Sequence, residues 1–473
     1  MNLQGWINSV RDIMRKDVGV NGDAQRIEQL GWMFFYKIFC DKDSELQLAQ
    51  GTKYVSPIPK GLHWNAWAAD NEGTTGEPLL KFVDNSLFPK LKNLDVAGNA
   101  RAVLLRDVFS GNNNYMKSGN NLRAVLNKIN EIDFNIAKTR YAFGDLYETM
   151  LGELQSAGKS GEFYTPRAVT KFVVEMVAPK FGEKILDPAC GTAGFLTAVI
   201  DRLLKECVTV SQRNSLSKNI VGWEYKPLPF LLATTNMILH DIAEPNIKFG
   251  DVLARPIDGI KQGDRVDCIL ANPPFGGMVA DGTETNFPGT FRTKESADLF
   301  LVLMIQLLKD GGRAGIVLPD GSLTGDGVKQ RVREELLTKC KLHTIIRLPN
   351  SVFQPYATVA TNLLFFERGM ATKEVWFYEH RLPEGQKSYS KTKPIRLEEF
   401  DPIRKWWKKR TESEVCWRVD IKTIRERGFD LDIKNPNREQ EEIPHTTEEL
   451  LGLLKKSFAK CDTLLEKIKE GMR

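Results

Sequence analysis

The sequence predicts an α/β protein. A mostly parallel seven-stranded sheet flanked by helices is preceded by an all-helical N-terminal domain and followed by a helical C-terminal extension. Three observations carry this expectation. The first ~150 residues hold apolar side chains at helical spacing. After Gly161 short apolar runs alternate with helical patterns, as in a sheet covered on both faces. The length of 473 residues, at roughly 150 per domain, leaves room for about three units with a sizeable core. The divisions expected are 1–155, 156–380 and 381–473.

Taken in order, Ala24 to Cys40 (AQRIEQLGWMFFYKIFC) and Leu122 to Ile132 have helical periodicity. Between them Val55 to Pro78, rich in Pro, Trp and Gly, reads as an irregular loop, and Ser110 to Asn114 (SGNNN) as a turn. Tyr141 to Leu154 returns to helix, and Arg167–Val177 is helical too. Candidate strands are Lys184–Asp187, Ile220–Glu224, Ile247–Asp251, Val266–Ala271, Ala314–Leu318, Thr344–Leu348 and Asn362–Phe366, with helical patterns such as Ala193–Glu206 and Ala297–Leu308 between them. Val375–Tyr378 is strand-like and Leu397 to Lys409 a charged, helix-like segment. The last helix starts near Thr447. Its Leu454, Phe458, Cys461, Leu465 and Ile468 recur at spacings of 4, 3, 4 and 3, as in a coiled coil.

Composition excludes whole classes. Hydrophobic residues are 42% and charged residues 27%, so the chain is neither wholly disordered nor a collagen-like or disulfide scaffold. Lys plus Arg number 66 against 61 Asp plus Glu, a net +5 that permits a nucleic-acid partner without demanding one. Seven widely spaced cysteines with no C-x-x-C pair read as reduced thiols of a cytoplasmic protein, and five scattered histidines give no metal-ligand spacing. The charged start (MNLQGWINSVRDIMRKD) and the lack of an apolar run of about 18 residues speak against a signal peptide or membrane span.

The strongest local signal is DPACGTAGF, from Asp187 to Phe195. It follows a strand and opens a helix, and its glycines allow close backbone approach while the helix start offers free N–H donors. It is not the G-x-G-x-x-G of dinucleotide enzymes, and by itself it is also what a tight strand–helix turn looks like. Glu224 ends the next strand, where an acid suits a ribose diol, and Asp251 ends a further one, where it can accept from an exocyclic amine. Each acid alone could be a solvated loop residue. Three at the ends of successive strands line the edge where open α/β sheets bind ligands. NPPF, Asn272 to Phe275, follows the strand VDCILA. Its prolines fix the backbone and remove two donors. The Asn272 oxygen and the Pro273 carbonyl can then accept from one amino group, and Phe275 offers a face to a planar ring.

Together these residues resemble the amino-group DNA methyltransferases that use S-adenosylmethionine, and NPPF is similar to their N6-adenine motif. GEFYTP (Gly161 to Pro166), DPACGTAGF and NPPF come in the order in which the cofactor half precedes the catalytic half. Over nearly the whole chain GEFYTPR, DPACGTAGF, ANPPFG, GGRAGIVLPDG, TNLLFF and LDIKNPN (Leu431–Asn437) resemble the methylation subunit of type I restriction–modification systems. The resemblance implies a Rossmann-like S-adenosylmethionine-dependent methyltransferase domain. It implies that Phe163, Tyr164, Thr165 and Pro166 line the methionine end of the cofactor. Asp187, Ala189, Cys190, Gly191, Thr192, Gly194 and Phe195 would hold its amino-acid part, Glu224 its ribose, and Asp251 beside Val252 its adenine amine. The catalytic residues implied are Asn272, Pro273, Pro274 and Phe275, with Asn272 and Pro273 gripping the target N6 and Phe275 stacking on the base. It further implies that a separate specificity subunit reads double-stranded DNA, that two methylation subunits join one such subunit, and that a restriction subunit completes the system. The terminal helix is then either a docking element or a helix folded back on its own core.

Other segments are less specific. Gly276–Ser296 is polar and Gly-rich and reads as a mobile loop over DNA or cofactor, or as an ordinary surface loop. RKWWKKR, Arg404 to Arg410, could touch phosphate or be a solvated helix face with buried Trp. GKS at 158–160 lacks the earlier glycine of a P-loop, Glu153 standing in its place, so nucleotide hydrolysis is rejected. Two rival classes remain: an Asn-Pro-Pro enzyme acting on a protein amide or an RNA base, and a binding scaffold without catalysis.

Overall fold

The computed structural model describes residues 3–134, 147, 165–354, 358–437 and 447–471. The helix expected over Tyr141–Leu154 lies, apart from Tyr147, outside these residues, as do Phe163, Tyr164 and the GKS tripeptide.

The chain forms nine strands: β1 Ile185–Asp187, β2 Ile220–Glu224, β3 Asn246–Phe249, β4 Val266–Ala271, β5 Leu308–Pro319, β6 Cys340–Leu348, β7 Thr361–Arg368, β8 Glu374–Glu379 and β9 Cys416–Asp420. They make one sheet in the order β3-β2-β1-β4-β5-β7-β6-β8-β9. The pairs from β3 to β5 are parallel. β7 is antiparallel to both β5 and β6, β8 is parallel to β6, and β9 is antiparallel to β8. The expected seven-stranded, mostly parallel sheet is therefore corrected to a mixed sheet of nine. Each difference has a local cause. Residues 349–360 join β6 to β7 through turns, with no helix among the described residues, so the chain folds straight back. β8 was legible as a strand, but not as a partner for β6. β9 (CWRVD) is five residues between charged segments, too short for a clear alternation. It also shows that the C-terminal extension is not purely helical.

Successive residues of the central strands point to opposite faces, and each face has its own apolar cluster. Ile185, Ile220, Cys268 and Leu270 join one cluster with Phe172, Leu196 and Phe230 from the helices Arg167–Val177, Gly194–Leu203 and Pro227–Leu239. Leu186, Val221, Ile269 and Ala271 join the other with residues of the helices Ser296–Leu307 and Val328–Lys339. Burial on both faces explains why these strands read as near-continuous apolar runs.

The N-terminal part holds helices and turns but no strand among the described residues. Its long helix, Asp23–Gln50, carries Trp32, Phe34, Phe35 and Phe39 fully buried in the first cluster, which runs on without a break into the helix Pro227–Leu239. At Gly31 the two helices come so close that a Cβ would stand 2.9 Å from Leu231 Cδ2. The Val55–Pro78 stretch is more ordered than expected. It contains a one-turn helix, Trp64–Trp67, whose Trp64 is fully buried and donates Nε1–H to Asn130 Oδ1 at 2.9 Å. The buried Arg123 guanidinium donates to the carbonyls of Trp67, Ala68, Asp70 and Thr74 and so fastens the remainder.

The terminal helix, Thr447–Gly471, is not folded back on the core. Leu454, Phe458 and Leu465 are 51%, 63% and 54% exposed.

Candidate active site

Strand order reverses between β1 and β4, whose neighbours lie on opposite sides. At such a switch point the loops at the carboxyl ends diverge and leave a crevice. The sequence places its chemistry there: Asp187 ends β1, Glu224 ends β2, Asp251 follows β3 by two residues, and Asn272 follows β4 directly. Register sets these ends in steps of two residues along the same edge, with Asp187 opposite Gly222 and Glu224 opposite Phe249. Together they line a cavity of about 510 Å³.

The turn after β1 is held from several directions. Gly191 has φ +53° and Ala193 φ +65°, both left-handed, so the backbone doubles back before the helix Gly194–Leu203 begins. Cys190 N–H donates to the Trp223 carbonyl at 2.9 Å. Gly191 N–H donates to Glu224 Oε2 at 3.0 Å, while Glu224 Oε1 accepts from the N–H groups of Tyr225 and Lys226. A Cβ on Gly191 would meet nothing within 4 Å, so this position faces open space in the cavity wall. Asn236 Nδ2, wholly buried in the helix Pro227–Leu239, donates to the Thr192 carbonyl at 3.0 Å. The Arg167 guanidinium donates to the Gly194 carbonyl at 2.9 Å and to Thr197 Oγ1 at 3.1 Å.

The electrostatics are those of a cavity prepared for polar groups. Asp187 is 1% exposed. Burial pushes its carboxyl up to about 8; the Ala189 N–H, donating to Oδ1 at 3.1 Å, pulls it down, and Glu224 adds to the rise. Burial likewise raises the Cys190 thiol. Asp251 caps the short turn Val252–Ala254 by accepting from Leu253 N–H at 2.9 Å, and remains exposed. β3 stops at Phe249 and not at the expected Asp251 because the backbone turns off at Gly250, whose φ is +145°.

On the other wall, Asn272 Nδ2 donates to Thr165 Oγ1 at 2.9 Å. The Pro274 carbonyl accepts from Ser296 Oγ at 3.0 Å. The ring of Phe275 meets Phe353 edge-on, with centroids 6.3 Å apart, which sets its tilt.

Of the sequence-predicted residues, Thr165, Asp187, Ala189, Cys190, Gly191, Thr192, Gly194, Phe195, Glu224, Asp251, Val252, Asn272, Pro274 and Phe275 come together on this cavity. Pro273 is buried behind it, and Pro166 starts the helix Arg167–Val177 as its cap, outside the lining. Sequence reasoning missed Trp223, Asn236, Ser296 and Phe300. A signal existed for Asn236: in the mostly apolar run LLATTNMIL the two threonines can bond back to their own helix, whereas a buried amide calls for a partner elsewhere.

Two segments whose sequence left contact with DNA open are tied into the fold. The segment 276–296 is fastened at several points: Met278 bridges Glu295, Asn286 Nδ2 donates to the Leu253 carbonyl at 3.1 Å, and Phe287 is 2% exposed. In RKWWKKR, Arg404 pairs with Glu175 and Asp401, and Arg410 donates to the His343 carbonyl and lies over the Trp407 ring at 4.8 Å. Lys405, Lys408 and Lys409 stay exposed.

A sheet that reverses order between β1 and β4, acids at or just past the ends of β1, β2 and β3, and an Asn-Pro-Pro-Phe turn after β4 mark a methyltransferase-type α/β fold, here behind a helical N-terminal domain. The family described as N-6 DNA methylase matches residues 138–444, and the HsdM N-terminal domain matches residues 3–129. The chain is 49% identical over 481 residues to the type I restriction enzyme EcoEI methylase subunit of Escherichia coli, covering 99% of this chain and 97% of that one. It is 30% identical over 379 residues to the EcoKI methylase subunit of E. coli K12, covering 74% of this chain and 67% of that one. Among solved structures, a modification subunit from Vibrio vulnificus YJ016 matches with TM-score 0.84 and 40% identity over 94% of this chain and 98% of that one. A chain from a structure of type I restriction–modification complex assembly matches with TM-score 0.83 and 35% identity over 99% and 98%. This chain belongs to the N-6 DNA methylase family and, within it, to the methylation subunits of type I restriction–modification systems.

Proposed function

We propose that this chain is an adenine-specific, site-specific DNA methyltransferase subunit that uses S-adenosylmethionine. The observation that supports this best is the meeting of Asp187, Gly191, Glu224 and Asp251 with Asn272 and Phe275 on one cavity. S-adenosylmethionine supplies a methyl group activated on a sulfonium. The residues present suit it: Gly191 leaves room that a Cβ would fill, and a cavity of about 510 Å³ is of the size that takes such a ligand. In this reading Phe163, Tyr164, Thr165 and Pro166 line the methionine end. Asp187 and the 189–195 turn hold the amino-acid part, and Asp251 with Val252 receives the adenine amine. Glu224 takes the ribose hydroxyls. Its oxygens accept from the N–H groups of Gly191, Tyr225 and Lys226, which hold the carboxylate at the cavity.

The target adenine leaves the duplex at a cost of about a few kcal/mol, and stacking on Phe275 offsets part of it. The N6 lone pair is delocalised into the ring. Asn272 Oδ1 and the Pro273 carbonyl accept its two hydrogens, favour a more tetrahedral nitrogen and stabilise the positive charge that grows on it. As the N6–methyl bond forms, the methyl–sulfur bond breaks and leaves a neutral thioether, and the methylated nitrogen sheds one proton to solvent. Pro274 and the Ser296 bond to its carbonyl keep the turn in shape.

The DNA sequence is read by a separate specificity subunit, two methylation subunits joining one, with a restriction subunit in the full complex. The exposed apolar stripe of Thr447–Gly471 is the docking element. In the division 1–155, 156–380 and 381–473, the first part is a helical clamp, the second carries most of the methyltransferase domain, and the third adds the edge strand β9 to its sheet before the docking helix. Seven unpaired thiols suit a reducing cytoplasm.

The test is adenine methylation in a methylation-free host, read by single-molecule sequencing, with and without the cognate specificity gene and with Asn272→Ala as control. Methylation at one bipartite motif, dependent on the partner and abolished by Asn272→Ala, is the expected result. Methylation without the partner would place the target reader in this chain. No adenine methylation from folded, partnered protein would favour a protein-amide or RNA substrate.

A further inference from the structure

Thr165 and Asn272 are 107 positions apart, yet the threonine oxygen accepts from Asn272 Nδ2 at 2.9 Å. An asparagine amide presents an acceptor on one side and two donors on the other. Work on an amino group needs the acceptor side. When Oδ1 is turned to that group, the NH₂ points the opposite way, and the Thr165 hydroxyl is what receives it. The hydroxyl is itself held firmly. Pro166 fixes the backbone next to it and accepts at its carbonyl from Val169 and Thr170 N–H, and Arg167 ties the same segment to Gly194 and Thr197. Three consecutive residues thus connect the cofactor-side turn to the catalytic asparagine.

We propose that Thr165 is a positioning residue that keeps the Asn272 amide in its reactive orientation. This deepens the methyltransferase reading and rests on it. With valine at 165 the NH₂ would face a methyl group in a half-buried place, and the amide would turn away to find another partner. A cofactor contact alone would behave differently, because it would act on affinity and leave the rate at saturation intact.

The experiment measures single-turnover methyl transfer by the chain in complex with its specificity subunit on cognate DNA. DNA and S-adenosylmethionine are saturating, and affinity for S-adenosylmethionine is determined separately by calorimetry. Thr165→Val should lower the rate at saturating cofactor and DNA about tenfold or more, beyond any change in cofactor affinity, and Thr165→Ser should recover most of the rate. A Thr165→Val enzyme with unchanged rate overturns the proposal, as does one that loses only cofactor affinity. Should the valine variant fail to fold, the serine variant decides, since a rate as low as that of Asn272→Ala would rule out a role for the hydroxyl. A wild-type complex that methylates no adenine would remove the methyltransferase reading and this proposal together, whereas an active wild type with an indifferent Thr165→Val removes only the proposal.

Discussion

Asp187 is nearly fully buried, and its carboxyl is pushed up to about 8 by burial and by Glu224, against the pull of the Ala189 N–H. In the unfolded chain the same group titrates near 3.9. Between about pH 4 and pH 8 the folded chain therefore holds a proton that the unfolded chain has lost. The group's contribution to stability is fully present below about pH 4, falls as pH rises through this window, and is flat above it. Asp187→Asn should flatten that decline, seen as a denaturant midpoint that varies less from pH 5 to 8 than in wild type; an unchanged pH slope would contradict the assignment. Gly191 makes the complementary case. Its Cβ position is open but its φ is +53°, so Gly191→Ala should cost only about 1–2 kcal/mol of stability in a melt while sharply weakening S-adenosylmethionine binding in calorimetry. Equal binding by the two proteins would show that the turn does not approach the cofactor.

Whether an element's apolar or basic residues are available to a partner depends on what they meet in the fold. The helix Thr447–Gly471 turns Leu454 and Phe458 outward, so they contribute little to the chain's own stability. Leu454→Glu with Phe458→Glu should leave the melting temperature of the isolated chain within about 2 °C of wild type and abolish co-elution with the specificity subunit. Retained co-elution would move the docking surface elsewhere. The helix Asp401–Lys408 and the residues after it do the opposite: Arg404 and Arg410 are spent on Glu175, Asp401, His343 and the tryptophan rings.

Across the whole molecule, the N-terminal helices and the sheet domain share one apolar cluster, and Arg101 crosses between them. Its guanidinium donates to the Ala243 carbonyl at 2.6 Å and the Phe39 carbonyl at 3.3 Å, lies over the Phe39 ring at 4.1 Å, and stands 3.8 Å from the buried Asp43 carboxylate. Arg101→Leu strips Asp43 of its cation and Ala243 of its donor, and should cost about 3–5 kcal/mol in denaturant unfolding. Because the core is continuous, calorimetry of the wild-type chain should give a single cooperative transition. Two separated transitions would show that the helical part folds on its own.

The residues that meet on the cavity were legible in the sequence because their signals are local. Asp187, Glu224 and Asn272 each sit at the end of a short apolar strand that announces itself, and NPPF and DPACGTAGF are contiguous. The helices Arg167–Val177, Gly194–Leu203 and Ser296–Leu307 were legible for the same reason, since helical periodicity needs only a dozen neighbouring residues. What sequence could not supply was pairing between distant segments. The antiparallel β7, the edge strand β9, the buried Trp64 in a stretch that reads as loop, and the capture of Arg404 and Arg410 all depend on partners far along the chain. So does the bond from Thr165 to Asn272, which joins residues with no pattern in common. The sequence by itself determined which groups stand at the carboxyl edge of the sheet. Only the tertiary structure decided which of them meet and in what orientation, because hydrogen bonds and burial are set by distances in space, on which local periodicity is silent.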